Sequence, residues 1–122
     1  MKPLNRYTYQ LGKLREATGD QAGARELFER CRAADPNFVP AAIALGRFYV
    51  EDQLWSEARD LLGGLLQRPM SPTERVEVFY LNGMTREAQG DLRKAKDMYQ
   101  RAIGINDQHQ PSLAGLQRIQ NS

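Results

Sequence analysis

The chain has 122 residues, of which 41% are hydrophobic, and its 17 lysines and arginines nearly balance 15 aspartates and glutamates. This length predicts one modest domain, and a net charge of +2 excludes the strongly charged surface that attracts nucleic acid or acidic membranes. The single cysteine, Cys31, excludes an intramolecular disulfide, and no apolar run approaches the roughly 20 residues that span a bilayer. Because the first residues also lack the apolar core of a secretory signal, we expect a cytoplasmic protein with no membrane insertion and no nucleic-acid partner.

A glycine followed twelve residues later by an alanine occurs three times, as Gly12/Ala24, Gly46/Ala58 and Gly83/Ala95. The first two glycines are 34 positions apart and the next two are 37 apart, which is a period typical of helical solenoids. Glycine inside a helix costs about 0.5 to 1 kcal/mol relative to alanine, so its recurrence indicates a packing benefit. We expect each glycine to lie opposite its alanine where two helices of a hairpin come close together.

The first unit begins with a helix, called helix A, whose small and apolar residues recur at three- and four-residue steps. These residues are Tyr7, Thr8, Leu11 and Gly12. We expect the helix to stop near Gly19-Asp20, because glycine adopts the left-handed conformation and aspartate caps the next helix. Helix B is then predicted from about Gln21 to Ala34, and it ends at Asp35-Pro36 because proline cannot continue a helix. Its buried face is predicted to hold Ala24, Leu27, Phe28 and Cys31, with Cys31 in a packing role.

The second unit repeats this plan, with Pro40 at the start of its helix A. Its predicted inner residues are Ala42, Leu45, Gly46 and Tyr49 in helix A and Ala58, Leu61, Leu62 and Leu65 in helix B. Gln53-Leu54 stands where the other units have Gly-Asp, so we expect a weaker turn, held either by burial of Trp55 or by a cap from Ser56. The Gly63-Gly64 pair predicts that helix B is loose late in its course.

The third unit opens with Ser71 and Glu74 at the offset of a capping box, with Pro72 in the first helical turn. Its helix A is predicted to close at Gly90-Asp91 and to be followed by a helix B with Ala95, Met98, Tyr99 and Ala102 on its inner face. A last helix is predicted from Pro111 to Gln120. Its residues Leu113, Leu116 and Ile119 are expected to cover the end of the third unit, as a solenoid requires.

With these features the chain resembles the tetratricopeptide repeat family, whose unit of about 34 residues has a Leu-Gly pair and an aromatic residue in helix A and Ala, aromatic, Ala and Pro in helix B. The matching residues are Leu11-Gly12, Ala24, Phe28, Cys31, Pro36, Leu45-Gly46, Tyr49, Ala58, Phe79, Gly83, Ala95, Tyr99 and Ala102. The chain departs from the pattern where Arg15 and Arg86 hold the aromatic place and Asn82 the leucine place of helix A.

The resemblance implies an all-α fold: a right-handed α-solenoid of three helix-turn-helix units plus a C-terminal capping helix, in a single domain over residues 1–122. The units are expected at about 5–38, 39–72 and 76–109, and the capping helix at about 111–121.

The resemblance also implies a concave groove, lined by the A helices, that binds a segment of a partner protein. A rotation of one residue, about 100°, from the packing stripe selects the groove positions. The selected binding residues are Tyr9, Lys13, Ile43, Arg47, Val50, Tyr80, Met84 and Arg118, with Glu16 and Glu87 beside them. This mixture suits a short segment with apolar anchors and a carboxylate. The alternatives are that Tyr9 and Tyr80 fill space between helices, that Met84 is packing, and that Arg47 is solvated or pairs with Glu16 or Glu51.

One version of the family grips a partner's C-terminal carboxylate with lysine, asparagine and arginine side chains. The corresponding places here hold Tyr9, Lys13, Ala44, Glu77 and Leu81, so four of the five differ and we exclude that mechanism. The sequence offers no nucleophile with a base, no phosphate loop and no metal-ligand spacing, which predicts a non-enzymatic protein without cofactor or metal. We expect an adaptor or scaffold that binds a protein. The alternatives are a structural spacer that self-associates weakly through its terminal helices, and a segment of a larger protein.

Overall fold

A computed structural model of the chain describes residues 3–121, with side chains from residue 5 onward. The described residues form seven α-helices and no strand, which confirms the all-α prediction. The helices are α1 (Pro3–Ala17), α2 (Gln21–Ala34), α3 (Val39–Glu51), α4 (Trp55–Leu65), α5 (Pro72–Ala88), α6 (Leu92–Ile105) and α7 (Gln110–Gln120). Three hairpins, α1 with α2, α3 with α4 and α5 with α6, stack in chain order, and α7 packs against α5 and α6. The molecule is the expected α-solenoid with a capping helix.

The repeated glycines make room for large side chains of the partner helix. A Cβ atom added at Gly12, Gly46 or Gly83 would lie 2.7, 2.5 and 2.5 Å from the nearest side-chain atoms of Phe28, Leu62 and Tyr99. Each of these residues lies one helical turn after the alanine of its unit, and all three alanines are fully buried. Close packing of the two helices was predicted correctly, but the residue that contacts each glycine is not the alanine. It is the aromatic residue or leucine one helical turn after that alanine.

The turn inside each hairpin has the same backbone geometry although its residues differ. Gly19 and Gly90 have φ values of 91° and 82°, and the following Asp20 and Asp91 accept hydrogen bonds from Gly23 N and Lys94 N, as predicted. In the second unit Gln53 takes the left-handed conformation with φ of 59°. This turn lacks the side-chain cap that the other two turns have, but its backbone conformation is the same as theirs.

Backbone hydrogen bonds hold that turn in place of a side-chain cap. The N–H of Leu54 donates to the Tyr49 carbonyl at 2.8 Å, as the N–H of Asp20 does to Arg15 in the first unit. This bond across six residues is the signature of a Schellman motif. Leu54 occupies the N-cap position of α4 and makes no side-chain hydrogen bond, so the predicted cap by Ser56 is wrong. Trp55 packs against the core, as the other alternative predicted.

Two further predictions concern helix ends in the second and third units. Helix α4 continues through Gly63-Gly64 and ends at Leu65, so it has 11 residues where α2 and α6 have 14 each. The capping box at the start of α5 is confirmed, because Ser71 Oγ accepts from Glu74 N at 3.1 Å and Glu74 Oε1 accepts from Ser71 N at 3.0 Å.

Helix α7 packs through a different face from the predicted one. Its buried residues are Ser112 and Gly115, whereas Leu113 is 37% exposed and Leu116 and Ile119 are half-buried. A Cβ atom at Gly115 would lie 2.5 Å from the Tyr99 ring, so a small residue is required at that point. The expectation that Leu113 covers the end of the third unit is therefore corrected, because the Tyr99 ring already fills the space between the helices.

Buried polar groups in the core find partners in two places where the family pattern is altered. Asn82 stands in a leucine place and its Nδ2 donates to the carbonyls of Leu62 and Val78, both at 3.1 Å. Cys31 is fully buried with Sγ 3.5 Å from the Asn5 carbonyl oxygen, and burial raises the pKa of its thiol. A raised thiol pKa lowers the thiolate fraction, which supports the packing role over a reactive one.

Candidate protein-binding face

Helices α1, α3, α5 and α7 form one side of the solenoid, which we call the A-helix face. Two ion pairs join neighbouring helices on this face. Arg47 of α3 donates to Glu77 of α5 at 3.2 Å, and Arg118 of α7 donates to Glu87 of α5. The pairs link α3 to α5 and α5 to α7, so these three helices form a connected part of the face.

Tyr9 of α1 packs against two aromatic side chains, those of Phe28 and Phe38. Its ring is half-buried, packs edge-on against Phe38 with centroids 5.4 Å apart, and carries the Lys13 ammonium 5.6 Å from its centroid. Burial raises the pKa of the phenol most strongly, while the charge of Arg47 lowers it. Three carboxylates, those of Glu74, Glu77 and Glu16, add to the increase. Side chains from α1, α3 and α5 therefore share one electrostatic environment around the Tyr9 hydroxyl.

Arg47 occupies the middle of the face and has an incomplete set of hydrogen bonds. Its side chain and that of Glu77 are each 36% exposed. Its Nη1 donates to Glu77 Oε1, whereas its buried Nε has no acceptor among the described residues. The predicted alternatives of pairing with Glu16 or Glu51 are replaced by Glu77. A buried donor without an acceptor is unfavourable, and another molecule can reach only the exposed part of this side chain.

Tyr80 forms one wall of a pocket of about 450 Å³. Its ring stands edge-on to His109, with centroids 5.4 Å apart, and tilted against Tyr99 at 6.2 Å. We call this cavity the Glu77 pocket, and its walls include Val76, Glu77, Tyr80, Ile105, Asn106 and His109. The pocket lies between the first half of α5 and the segment that joins α6 to α7.

Arg118 is held in place by a network with residues of the third unit. Its Nε and Nη2 donate to the two carboxylate oxygens of Glu87, each at 3.0 Å, and Nη2 lies 3.6 Å from Met84 Sδ. The Tyr99 hydroxyl donates to Glu87 Oε1 at 2.7 Å. The hydrogen bond from Arg118 is the main cause that lowers the pKa of Glu87, and burial is the main cause that raises that of Tyr99.

Two predicted groove residues are core residues in the structure. Ile43 is 4% exposed and Val50 is 8% exposed, and both belong to the central hydrophobic cluster. Helix α3 contacts α2, α4 and α5, and Ile43 and Val50 are covered while Arg47 of the same stripe stays partly exposed. The prediction that Ile43 and Val50 offer surface to a ligand is corrected accordingly. The other six predicted residues retain exposed surface: Tyr9, Lys13, Arg47, Tyr80, Met84 and Arg118.

Sequence reasoning did not select Glu77, although it pairs with Arg47 and faces the pocket. The helical spacing contained the signal, since Glu77 lies three residues before Tyr80 and seven before Met84, on the same stripe of α5. His109 carried no such signal, because it lies in the segment before α7 and its contact with Tyr80 depends on how α7 is placed.

Neither metal chemistry nor a membrane segment is supported by the described part of the chain. No three side chains of histidine, cysteine, aspartate or glutamate among residues 5–121 come together as a metal site. None of the helices within residues 3–121 combines the length and the apolar composition needed to cross a bilayer.

Comparisons with known proteins agree with this architecture. Models of the tetratricopeptide repeat match residues 15–72 and 76–109. A crystal structure of MamA protein is similar over 99% of this chain and 64% of its own, with 24% identity and a TM-score of 0.80. A MamA structure from AMB-1 gives 25% identity, coverage of 92% and 60%, and a TM-score of 0.72. The N-terminal domain of stress-induced protein-1 (STI-1) from C. elegans shares 13% identity over 96% and 94%, with a TM-score of 0.71.

The chain spans less than two thirds of the length of these MamA structures, so they show its fold alone. A search of curated protein sequences gave no match. The two repeat models nevertheless cover most of the chain: the first extends from the end of α1 through α4, and the second corresponds to the hairpin of α5 and α6. The chain therefore belongs to the tetratricopeptide repeat family, whose members are generally non-enzymatic modules for interactions between proteins.

Proposed function

We propose that the chain is a binding module that holds a peptide or helical segment of a partner protein on its A-helix face. The observation that carries this proposal is the set of partly exposed side chains on the A-helix face, which includes Tyr9, Arg47 and Tyr80. The exposed part of the Arg47 guanidinium can donate to a peptide carbonyl or side-chain oxygen of a partner. Tyr9 of α1 and Tyr80 of α5, both half-buried, add apolar ring surface that a partner can cover.

The face offers less free positive charge than the sequence led us to expect. Arg47 and Arg118, two of the three cations predicted to bind a carboxylate, already pair with Glu77 and Glu87. A carboxylate ligand would have to compete with these pairs. We therefore place the main binding contributions in aromatic contact and in neutral hydrogen bonds, with an affinity of about micromolar, or about 8 kcal/mol.

A pull-down from the native host with three proteins tests this proposal. The first is the wild type, the second is Tyr9→Ala/Arg47→Met/Tyr80→Ala, and the third is the control Leu92→Ala/Arg93→Ala, which removes an apolar and a cationic side chain from exposed positions of α6. Circular dichroism establishes that all three are folded. We expect a partner that the wild type and the control retain and the triple variant loses. Equal recovery of every partner by the triple variant would discard the A-helix face.

Exposed apolar residues at both ends of the solenoid favour self-association as a second candidate function. Tyr7 and Leu14 of α1 are 68% and 59% exposed, and Leu113 of α7 is 37% exposed. Contact between these ends of two copies would bury all three side chains. Light scattering across a concentration series should then show growth of the particle mass, which Leu14→Glu and Leu113→Glu should each abolish. A constant monomer mass at every concentration would exclude it.

A further inference from the structure

The Glu77 pocket combines apolar walls with a single formal charge. Val76 and Ile105 supply aliphatic surface, and the rings of Tyr80 and His109 meet edge-on. Among the described residues that line it, Glu77 bears the only carboxylate and there is no lysine or arginine. Such a pocket matches a side chain that is aliphatic along its length and cationic at its end.

The ion pair with Arg47 leaves Glu77 with capacity for a second cation. Arg47 reaches one carboxylate oxygen, Oε1, through Nη1 at 3.2 Å, and a carboxylate can accept several hydrogen bonds. Glu77 also acts on the Tyr9 phenol together with two other carboxylates, those of Glu16 and Glu74.

We propose that the Glu77 pocket receives a lysine or arginine side chain of the partner segment. The aliphatic part of that side chain lies against Val76 and Ile105, and its cationic head contacts Glu77 next to the face of Tyr80. The inference rests on the proposed function, since it assigns the chemistry of the segment that the A-helix face binds. It also reverses the charge that the sequence favoured, because a basic rather than an acidic ligand is complementary to this end of the face.

Selection of displayed random peptides on immobilised protein tests the assignment at neutral pH. Four proteins are compared: the wild type, Glu77→Gln, Glu77→Lys, and the control Glu57→Gln, which removes a carboxylate from the exposed start of α4. We expect lysine and arginine to be enriched on the wild type and on the control, and the enrichment to be lost on Glu77→Gln. On Glu77→Lys, aspartate and glutamate should be enriched instead.

A selected peptide then serves as the probe in fluorescence polarisation. Replacing its basic residue by norleucine, which keeps the aliphatic length, should weaken binding to the wild type by about fivefold and leave binding to Glu77→Gln unchanged. Peptides that bind without any preference for basic residues, or whose preference survives in Glu77→Gln, would overturn this inference and leave the proposed function standing. Failure to select any peptide on the folded wild type would count against the proposed function itself.

Discussion

Arg118 donates two parallel hydrogen bonds, from Nε and Nη2, to the two carboxylate oxygens of Glu87, so the last helix is tied to α5 by a bidentate ion pair. Both donor–acceptor distances are 3.0 Å, and the Tyr99 hydroxyl donates to the same carboxylate. Paired geometry of this kind is stronger than a single contact between mobile side chains. The pair therefore contributes to how firmly α7 is held.

This contribution can be measured with a double-mutant cycle of Arg118→Ala and Glu87→Gln. Arg118 is 49% exposed at its side chain and Glu87 is 22% exposed, so we expect a coupling free energy of about 0.5 to 1 kcal/mol in chemical denaturation. Arg93→Ala, at an exposed position of α6, is the control and should show no coupling with Glu87→Gln. Additive effects of Arg118→Ala and Glu87→Gln would show that the pair contributes nothing to stability.

Acid should remove the contribution of Glu87. The hydrogen bond from Arg118 is the main cause that places the pKa of this carboxyl below its ordinary value. When folding lowers the pKa of a carboxyl, its ionised form stabilises the fold at pH values above the unfolded-state pKa of about 4.3. This stabilisation is lost as the pH falls through the folded-state pKa. The difference in Tm between the wild type and Glu87→Gln should be constant near neutral pH and should shrink below about pH 4. A difference that persists unchanged to about pH 3 would contradict the shift.

Glycine is required at some helical positions and costs stability at others. Gly83→Ala would place a Cβ atom 2.5 Å from the fully buried Tyr99 ring, so we expect a loss of about 1 to 3 kcal/mol in the free energy of unfolding. Gly63→Ala in α4 meets no atom within 4 Å and should gain about 0.5 to 1 kcal/mol. Urea denaturation of the two variants decides the point, and effects of the same sign would refute the packing explanation.

The left-handed Gln53 offers a way to stabilise the second unit. Gln53→Gly removes the strain of a side chain at φ of 59°, and we expect a gain of about 0.5 to 1 kcal/mol in the free energy of unfolding. The matched control is Gln89→Gly, which stands at φ of −85° just before the equivalent turn and should not stabilise the chain. If thermal denaturation gives both variants the same Tm change, conformational strain at Gln53 is not the cause.

Local features of the sequence predicted the helices and turns well, because their causes lie within a few residues. The capping box of Ser71 and Glu74 and the caps of Asp20 and Asp91 depend on contacts three residues apart, which can be recognised in the chain. The turn at Gln53 shows the limit of such reasoning. Its backbone hydrogen bonds impose the left-handed conformation on whichever residue is present, so the missing glycine was a poor guide.

The binding face was harder to predict because its contacts join residues that are far apart in sequence. The pair of Arg47 with Glu77 spans 30 positions and that of Arg118 with Glu87 spans 31. A helical rotation identifies which side a residue takes, but it cannot tell whether a neighbouring helix covers that side. Ile43 and Val50 are buried for this reason, since α3 is flanked by helices of both adjacent hairpins.

The contacts of Tyr99 determine which helices must be moved together when repeats are exchanged between proteins of this architecture. Its ring lies between Gly83 of α5 and Gly115 of α7, and its hydroxyl reaches the carboxylate that also holds Arg118. The third hairpin and the final helix consequently share one side chain and form a single transplantable module. A chimera that takes the third hairpin without α7 would expose a phenol ring to water, whereas one that takes both would keep the junction intact.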